Sequence, residues 1–151
     1  MMTARTEHLM KLEQEVGVLI RRVRRVIGER ALAVHEELQP ASYLMLSYLA
    51  DHGAMRSSSM AEAFHIDKGA ISRQVQHLAD LGLVERTRDP EDGRASLVAA
   101  TDEAVRRLTD VQEHRRKFLD ERLGDWDESE LAAFADVLHR YNSALNQPTD
   151  R

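Results

Sequence analysis

The 151-residue sequence contains no cysteine. That excludes a disulfide framework, a zinc site built on thiolates, a thiol nucleophile and a thiol redox sensor. Aromatic residues are scarce at 5%, against 31% charged residues, which suits a helical, well-solvated chain better than a β-sandwich. No apolar run approaches the roughly 18 residues of a membrane span. Met1 to Ile20 interleaves charged and apolar residues at helical spacing and carries no signal-peptide core. The expectation is a cytoplasmic protein without a membrane partner. An excess of positive charge is lacking too: 21 Lys and Arg face 26 Asp and Glu, for a net −5. By region, residues 1–40 carry +1, residues 41–100 carry −2 and residues 101–151 carry −4. A nucleic-acid partner must therefore be met by a local patch. A chain of this length makes one compact domain, or one domain with extended helical arms, and by burying roughly 70% of its unfolded surface it needs no metal or disulfide staple.

Glycine and proline are few, and their positions divide the chain. Pro40 suits the first turn of a helix, where a missing amide donor costs nothing. Gly53, Gly82 and Gly124 each close an apolar-periodic stretch, the place for a left-handed C-terminal cap. Asp89-Pro90-Glu91-Asp92-Gly93-Arg94 has strong turn chemistry. Between these marks Leu9, Leu12, Val16, Leu19, Val23 and Val26 recur at helical spacing, and Ile27, Ala31, Val34 and Leu38 carry the stripe onward. This predicts one helix of about thirty residues. Tyr43 to Ala50 reads as a buried second helix. Thr101 can cap a helix bearing Val105, Leu108, Val111, Phe118 or Leu119, and Leu123; a last helix bears Leu131, Phe134, Leu138, Tyr141 and Leu145. Ordinary intramolecular core explains any one stripe. Together, three long stripes exceed what a short middle module can cover, which points to self-association about a two-fold axis.

The middle module holds the most specific pattern. Ser59 and Glu62 have capping-box spacing ahead of a short helix that ends near His65. Asp67 then caps a helix from Lys68 to Leu81 that buries Ile71, Val75 and Leu78. The opposite face shows Lys68, Gly69, Ser72, Arg73 and Gln76, with His77 at its margin. Two short helices joined by a tight turn, the second with a polar, cationic outer face, describe a helix-turn-helix. A major groove admits such a helix, and side chains near its start read base edges. Lys68 and Arg73 can donate to guanine or phosphate, Gln76 carries the donor–acceptor pair that suits adenine, and Gly69 and Ala70 let the backbones approach. Leu83 to Arg88 and Arg94 to Ala100 read as a β-hairpin around the Asp89–Gly93 turn. Arg86 and Arg88 share one face, and Arg94 at the tip suits a narrow minor groove. Five of the six cations in this module, Lys68, Arg73, Arg86, Arg88 and Arg94, can thus share one surface, with Asp89, Glu91 and Asp92 weakening its field unless one of them buttresses Arg94 by an ion pair.

Met60-Ala61-Glu62, Ile66-Asp67-Lys68, Ile71-Ser72-Arg73, Leu81-Gly82-Leu83-Val84-Glu85-Arg86 and Asp89-Pro90-Glu91-Asp92-Gly93-Arg94 together resemble the MarR family of winged helix-turn-helix regulators. The resemblance extends over most of the chain, and the hairpin with its tip arginine is its most specific part. It implies a mainly α fold with a small β-hairpin wing, a winged helix-turn-helix flanked by long N- and C-terminal dimerisation helices. The corresponding division is residues 1–39 for dimerisation, 40–100 for DNA binding and 101–151 completing the dimerisation region. It further implies a homodimeric repressor that binds double-stranded DNA at a pseudo-palindromic operator and is released by a small aromatic or phenolic ligand. Carried over by position, Lys68, Ser72, Arg73 and Gln76 are groove contacts and Arg94 is the wing-tip arginine. His65 stands where glycine is common, Gly69 where proline or a polar residue is more usual, Ala70 where a hydroxyl residue is and Ala100 where leucine is, departures that bear on sequence preference and not on the fold.

Other chemistries find little support. There is no His-Glu-x-x-His, no phosphate loop and no nucleophile elbow, so an enzyme, catalytic residues and a cofactor are not expected. Asp136 with His139, and His35 with Glu36 or Glu37, have spacings a metal could use, but solvated polar faces explain them and no metal site is expected. The cluster Arg21-Arg22-Val23-Arg24-Arg25 reads first as a solvated face with ion pairs, and otherwise as an inducer-carboxylate site or an additional DNA-backbone contact. Ligand-binding residues stay unassigned. The competing reading of the whole chain is a protein-interaction module on a degenerate winged-helix scaffold.

Overall fold

The structure, a computed structural model, describes residues 1–146. Its elements run α1 (Ala4–Val34), α2 (Pro40–His52), β1 (Met55–Arg56), α3 (Ser57–Phe64), α4 (Lys68–Asp80), β2 (Val84–Arg88), β3 (Ser96–Ala100), α5 (Asp102–Arg122) and α6 (Glu128–Leu145). The chain divides into two compact units, Met1–Gln112 and Glu113–Arg151.

In the first unit, α1 begins behind Thr3, whose Oγ1 accepts from the Thr6 amide at 3.1 Å. Only its last turn is buried, through Ala31 and Val34. The stripe expected to continue to Leu38 leaves the helix earlier: His35 is extended, and Leu38 enters the core from the connecting turn. Arg107 of α5 donates to the Val34 carbonyl at 3.0 Å, satisfying an acceptor at a helix end that has no basic residue of its own. α2 starts on Pro40 and buries Tyr43, Met45, Leu46 and Leu49. The Ser42 hydroxyl donates to Gln74 of α4 beside this core.

The sheet has the order β1-β3-β2, antiparallel throughout. β2 and β3 form the expected hairpin, with Val84 opposite Ala100 and Arg88 opposite Ser96. β1 is an addition: its two residues, too few to show alternation, pair Met55 with Val98 and Arg56 with Leu97. Because β1 runs straight into α3, that helix starts at Ser57 with Arg56 as its cap residue. Ser59 therefore lies inside the helix, and the capping box expected from Ser59 and Glu62 does not form. Thr101 does cap α5, accepting from the Ala104 amide at 3.2 Å while its hydroxyl donates to the Gly82 carbonyl at 3.0 Å. Of the three glycines expected in left-handed caps, Gly53 (φ 82°) and Gly82 (φ 74°) have positive φ and Gly124 does not.

In the second unit, α6 starts with a capping box: Asp127 Oδ1 accepts from the Glu130 amide at 2.8 Å and Glu130 Oε1 from the Asp127 amide at 3.4 Å. No residue of α6 is buried. Trp126 and Phe134 meet edge to face at 5.8 Å, and the Arg122 guanidinium lies 5.1 Å from the Phe118 ring centre, yet all three rings stay largely exposed. Among the described residues no helix is long and apolar enough to cross a membrane.

Candidate nucleic-acid interface

The turn between α3 and α4 is set by three residues. His65 ends α3 in the left-handed conformation (φ 53°, ψ 43°), where a side chain is disfavoured but histidine is tolerated. The Ile66 amide then donates back to the Ala61 carbonyl at 3.1 Å. Asp67 Oδ1 accepts from the Ala70 amide at 2.8 Å and opens α4. Ile71, Val75 and Leu78 are each 0% exposed, which fixes the rotation of α4 about its axis. Burying each contributes roughly 1.5–3 kcal/mol, so rolling the helix to hide its other face would be prohibitive.

That rotation leaves Lys68, Gly69, Ser72, Arg73 and Gln76 exposed, as expected, with His77 half-buried at the edge. His77 Nε2 lies 3.3 Å from the Glu37 carbonyl, so it faces the α1–α2 connection and not the outer surface. Arg73 folds back along the helix: a Cβ at Gly69 would lie 3.5 Å from Arg73 Nη1 and 3.2 Å from Asp67 Oδ1. The guanidinium thus sits over the first turn, which also carries the Asp67 carboxylate that accepts the Ala70 amide.

The wing meets this surface. Arg86 Nη1 donates to Gln76 Oε1 at 3.1 Å, while Gln76 Nε2 donates to Asp80 Oδ1 at 2.8 Å. The carboxamide expected to face adenine is therefore held at both ends, leaving one N–H and one lone pair for a base edge. Arg88 and Arg94 are exposed, Arg88 at the end of β2 and Arg94 in the turn. Asp92 Oδ1 accepts from the Arg94 backbone amide at 3.1 Å, and the Ala95 amide donates to the Asp92 carbonyl at 3.0 Å, so the turn is fixed while the Arg94 guanidinium stays in solvent.

The acidic residues of the turn do not buttress Arg94 by an ion pair. Asp89, 6% exposed, accepts from Arg56 instead: Nε donates to Oδ2 at 2.7 Å, with Nη2 at 2.6 Å from the same oxygen. Asp89 Oδ1 accepts from the Glu91 amide at 2.9 Å. That amide and the Arg56 fork hold the Asp89 carboxyl below the usual carboxylate range. One of the three negative charges weakening the patch is thus neutralised in place. The pairing was not readable from the sequence, because a lone arginine ahead of a serine run carries no spacing that points to a carboxylate 33 residues away.

A helix-turn-helix whose second helix turns its cationic face outward beside an arginine-bearing three-stranded sheet defines a winged helix-turn-helix protein. Residues 37–95 match the family model described as MarR family. The chain is 32% identical over 134 residues to the HTH-type transcriptional regulator YxaD of Bacillus subtilis strain 168, covering 89% of this chain and 92% of that protein. It is 30% identical over 135 residues to YdgJ, another HTH-type transcriptional regulator of the same strain, covering 89% and 81%. Among solved structures, a MarR family protein from Bacillus stearothermophilus superposes with a TM-score of 0.76 at 20% identity, covering 97% of this chain and all of that one. The chain belongs to the MarR family of DNA-binding transcription regulators, a family of regulators and not of enzymes.

Proposed function

We propose that this chain acts as a cytoplasmic homodimer that represses transcription from a pseudo-palindromic operator. In this reading residues 40–100 bind DNA, and residues 1–39 and 101–151 hold two copies together. α4 enters the major groove with Lys68, Gly69, Ser72, Arg73 and Gln76, Arg86 and Arg88 line the approach, and Arg94 enters the flanking minor groove. The observation that carries the reading is the Arg86–Gln76 hydrogen bond, which joins the wing strand to the outer face of α4 as one continuous surface. A duplex meeting that surface finds helix and wing already aligned, so little ordering is needed on binding.

Dimerisation is supported by what the chain leaves uncovered. Leu9, Leu12, Leu19 and Val23 on α1 are 37–45% exposed, and Leu131 and Phe134 on α6 are 41% and 55% exposed. Apolar stripes of that extent call for a partner surface, and a second copy supplies a matching one. Release by a small aromatic or phenolic ligand follows the family resemblance; such a ligand acts only by binding one dimer geometry better than the other. Selection of random duplexes by the purified protein tests the reading. The expected result is an inverted repeat with half-site centres about one helical turn, ~10 base pairs, apart. Recovery of no motif, with no salt-sensitive binding to any duplex, would remove it in favour of a protein-interaction role.

A further inference from the structure

Five of the six cations between residues 41 and 100 are assigned to the duplex; Arg56 is the sixth. It occupies a junction, ending β1 and serving as the cap residue of α3. β1 pairs with β3 and β3 with β2, so Asp89, the residue after β2, lies two strands away. That is about 9–10 Å at ordinary strand spacing, a gap an extended arginine and an aspartate can close together. Arginine also brings a planar fork, so that Nε and Nη2 converge on one carboxylate oxygen.

The two oxygens of Asp89 have separate tasks. Oδ2 takes the Arg56 fork, while Oδ1 takes the Glu91 amide and shapes the turn. The Asp89 amide donates to the Ala95 carbonyl at 3.0 Å and closes the turn that carries Arg94. Through this residue the tip of the wing is tied to the start of the helix-turn-helix. Without the tie, the turn would keep its internal hydrogen bonds but would meet the rest of the unit only through the end of the β2–β3 ladder at Arg88 and Ser96, the ladder itself being joined to β1 through β3 and to α4 through Arg86. An arginine aimed into a groove is useful only if its base is held, since an ordered contact must exceed the entropy of ordering it.

We propose that Arg56 is a positioning residue for the wing: through Asp89 it fixes the β2–β3 turn against the helix-turn-helix and so sets where Arg94 meets the duplex. The proposal rests on the DNA-binding reading above. It makes a prediction opposite in sign to simple electrostatics. Asp89→Asn removes a negative charge beside a polyanion, which by itself tightens binding. The asparagine oxygen still accepts from the Glu91 amide, so the turn keeps its shape, but the tie to Arg56 is lost.

The test measures binding to a duplex enriched by the wild-type protein, by fluorescence anisotropy between about 50 and 200 mM salt. Asp89→Asn is expected to weaken binding about tenfold, the size of a coupling within one hydrogen-bonded network. Arg56→Ala should weaken it similarly and flatten the salt dependence as Arg94→Ala does. The double variant Arg56→Ala/Arg94→Ala should bind within about twofold of Arg94→Ala alone, because both changes act on the same wing-tip interaction. Binding by Asp89→Asn as tight as wild type, or tighter, overturns the proposal. So does multiplication of the Arg56→Ala and Arg94→Ala effects, which would place Arg56 on a phosphate of its own. Circular dichroism verifies folding, and if Arg56→Ala does not fold, Asp89→Asn decides. If the wild type binds no duplex, the DNA-binding reading falls and this proposal with it; if the wild type binds and the Asp89→Asn result goes the other way, this proposal alone falls.

Discussion

Helices α4 and α6 are both amphipathic, with apolar residues recurring every three or four positions, yet the chain treats them differently. Ile71, Val75 and Leu78 of α4 are wholly buried, while α6 has no buried residue and Phe134 is 55% exposed. Periodicity specifies which side of a helix is apolar; it does not specify what covers that side. For α4 the cover is the core of the same unit, where Leu46, Met60, Leu83 and Val98 converge. For α6 the proposed cover is a second copy. On that proposal one sequence signal serves two purposes: an internal one that makes the fold, and an external one whose energy depends on protein concentration.

The sharpest way to break the comparison is to truncate each face. Leu78→Ala removes a fully buried side chain and is expected to destabilise the protein by about 2–5 kcal/mol in denaturant unfolding, at any concentration. Leu131→Asp combined with Phe134→Asp places charge on the uncovered face of α6. The expected effect is on assembly: a monomer–dimer constant weakened by about a hundredfold or more, equivalent to ~2.7 kcal/mol, read by sedimentation equilibrium. An α6 variant that stays dimeric would mean that this face has another occupant. A Leu78→Ala protein with an unchanged melting temperature would mean that α4 is not anchored as described.

The same contrast explains what is legible in the sequence. α4 is readable because its determinants are local: the Asp67 cap, the three apolar residues and the outward cations all lie between Asp67 and Leu78. The α6 stripe is equally readable as a pattern, and its exposure is legible only as an excess of apolar surface over available cover. Features made by distant partners are not readable. β1 has two residues and exists because β3 offers an edge. The start of α3 differs from expectation for that reason, since Ser59 has the better capping pattern but Arg56 is already committed to the sheet. At the candidate interface, the Gln76–Asp80 bond has ordinary helical spacing, whereas the Arg86 partner of Gln76 comes from the wing and needs the fold to be known.

Smaller effects sharpen the proposed division between the outward and inward faces of α4. Arg73→Ala should weaken operator binding by about 1–3 kcal/mol while leaving the unfolding midpoint nearly unchanged, because its side chain is exposed and folds over the helix start. Arg94→Ala should weaken binding less and lower the slope of log affinity against log salt by about one unit for each phosphate it no longer neutralises. If Arg73→Ala leaves affinity intact, the helix that reads the groove has been misidentified, whatever Arg94 does.

The smallest expected effect lies at the start of α5, where Glu103 joins the two arginines that follow one turn later. Arg106 and Arg107 donate to its carboxylate, and Arg107 also reaches the Val34 carbonyl at the end of α1. The hydrogen bonds from Arg106 and then Arg107 hold the Glu103 carboxyl down from its ordinary 4.5 to about 2. A carboxylate depressed on folding adds stability that is fully present above the ordinary value, about pH 4.5, and is lost as the pH falls through about 2. Glu103→Gln should therefore lower the melting temperature slightly near neutral pH, and the difference from wild type should close between pH 4.5 and 2. The groups are exposed, so added salt should shrink the difference at every pH. A gap that persists unchanged at pH 2 would show that the carboxamide loses something other than charge, such as the geometry that lets Arg107 reach the last turn of α1.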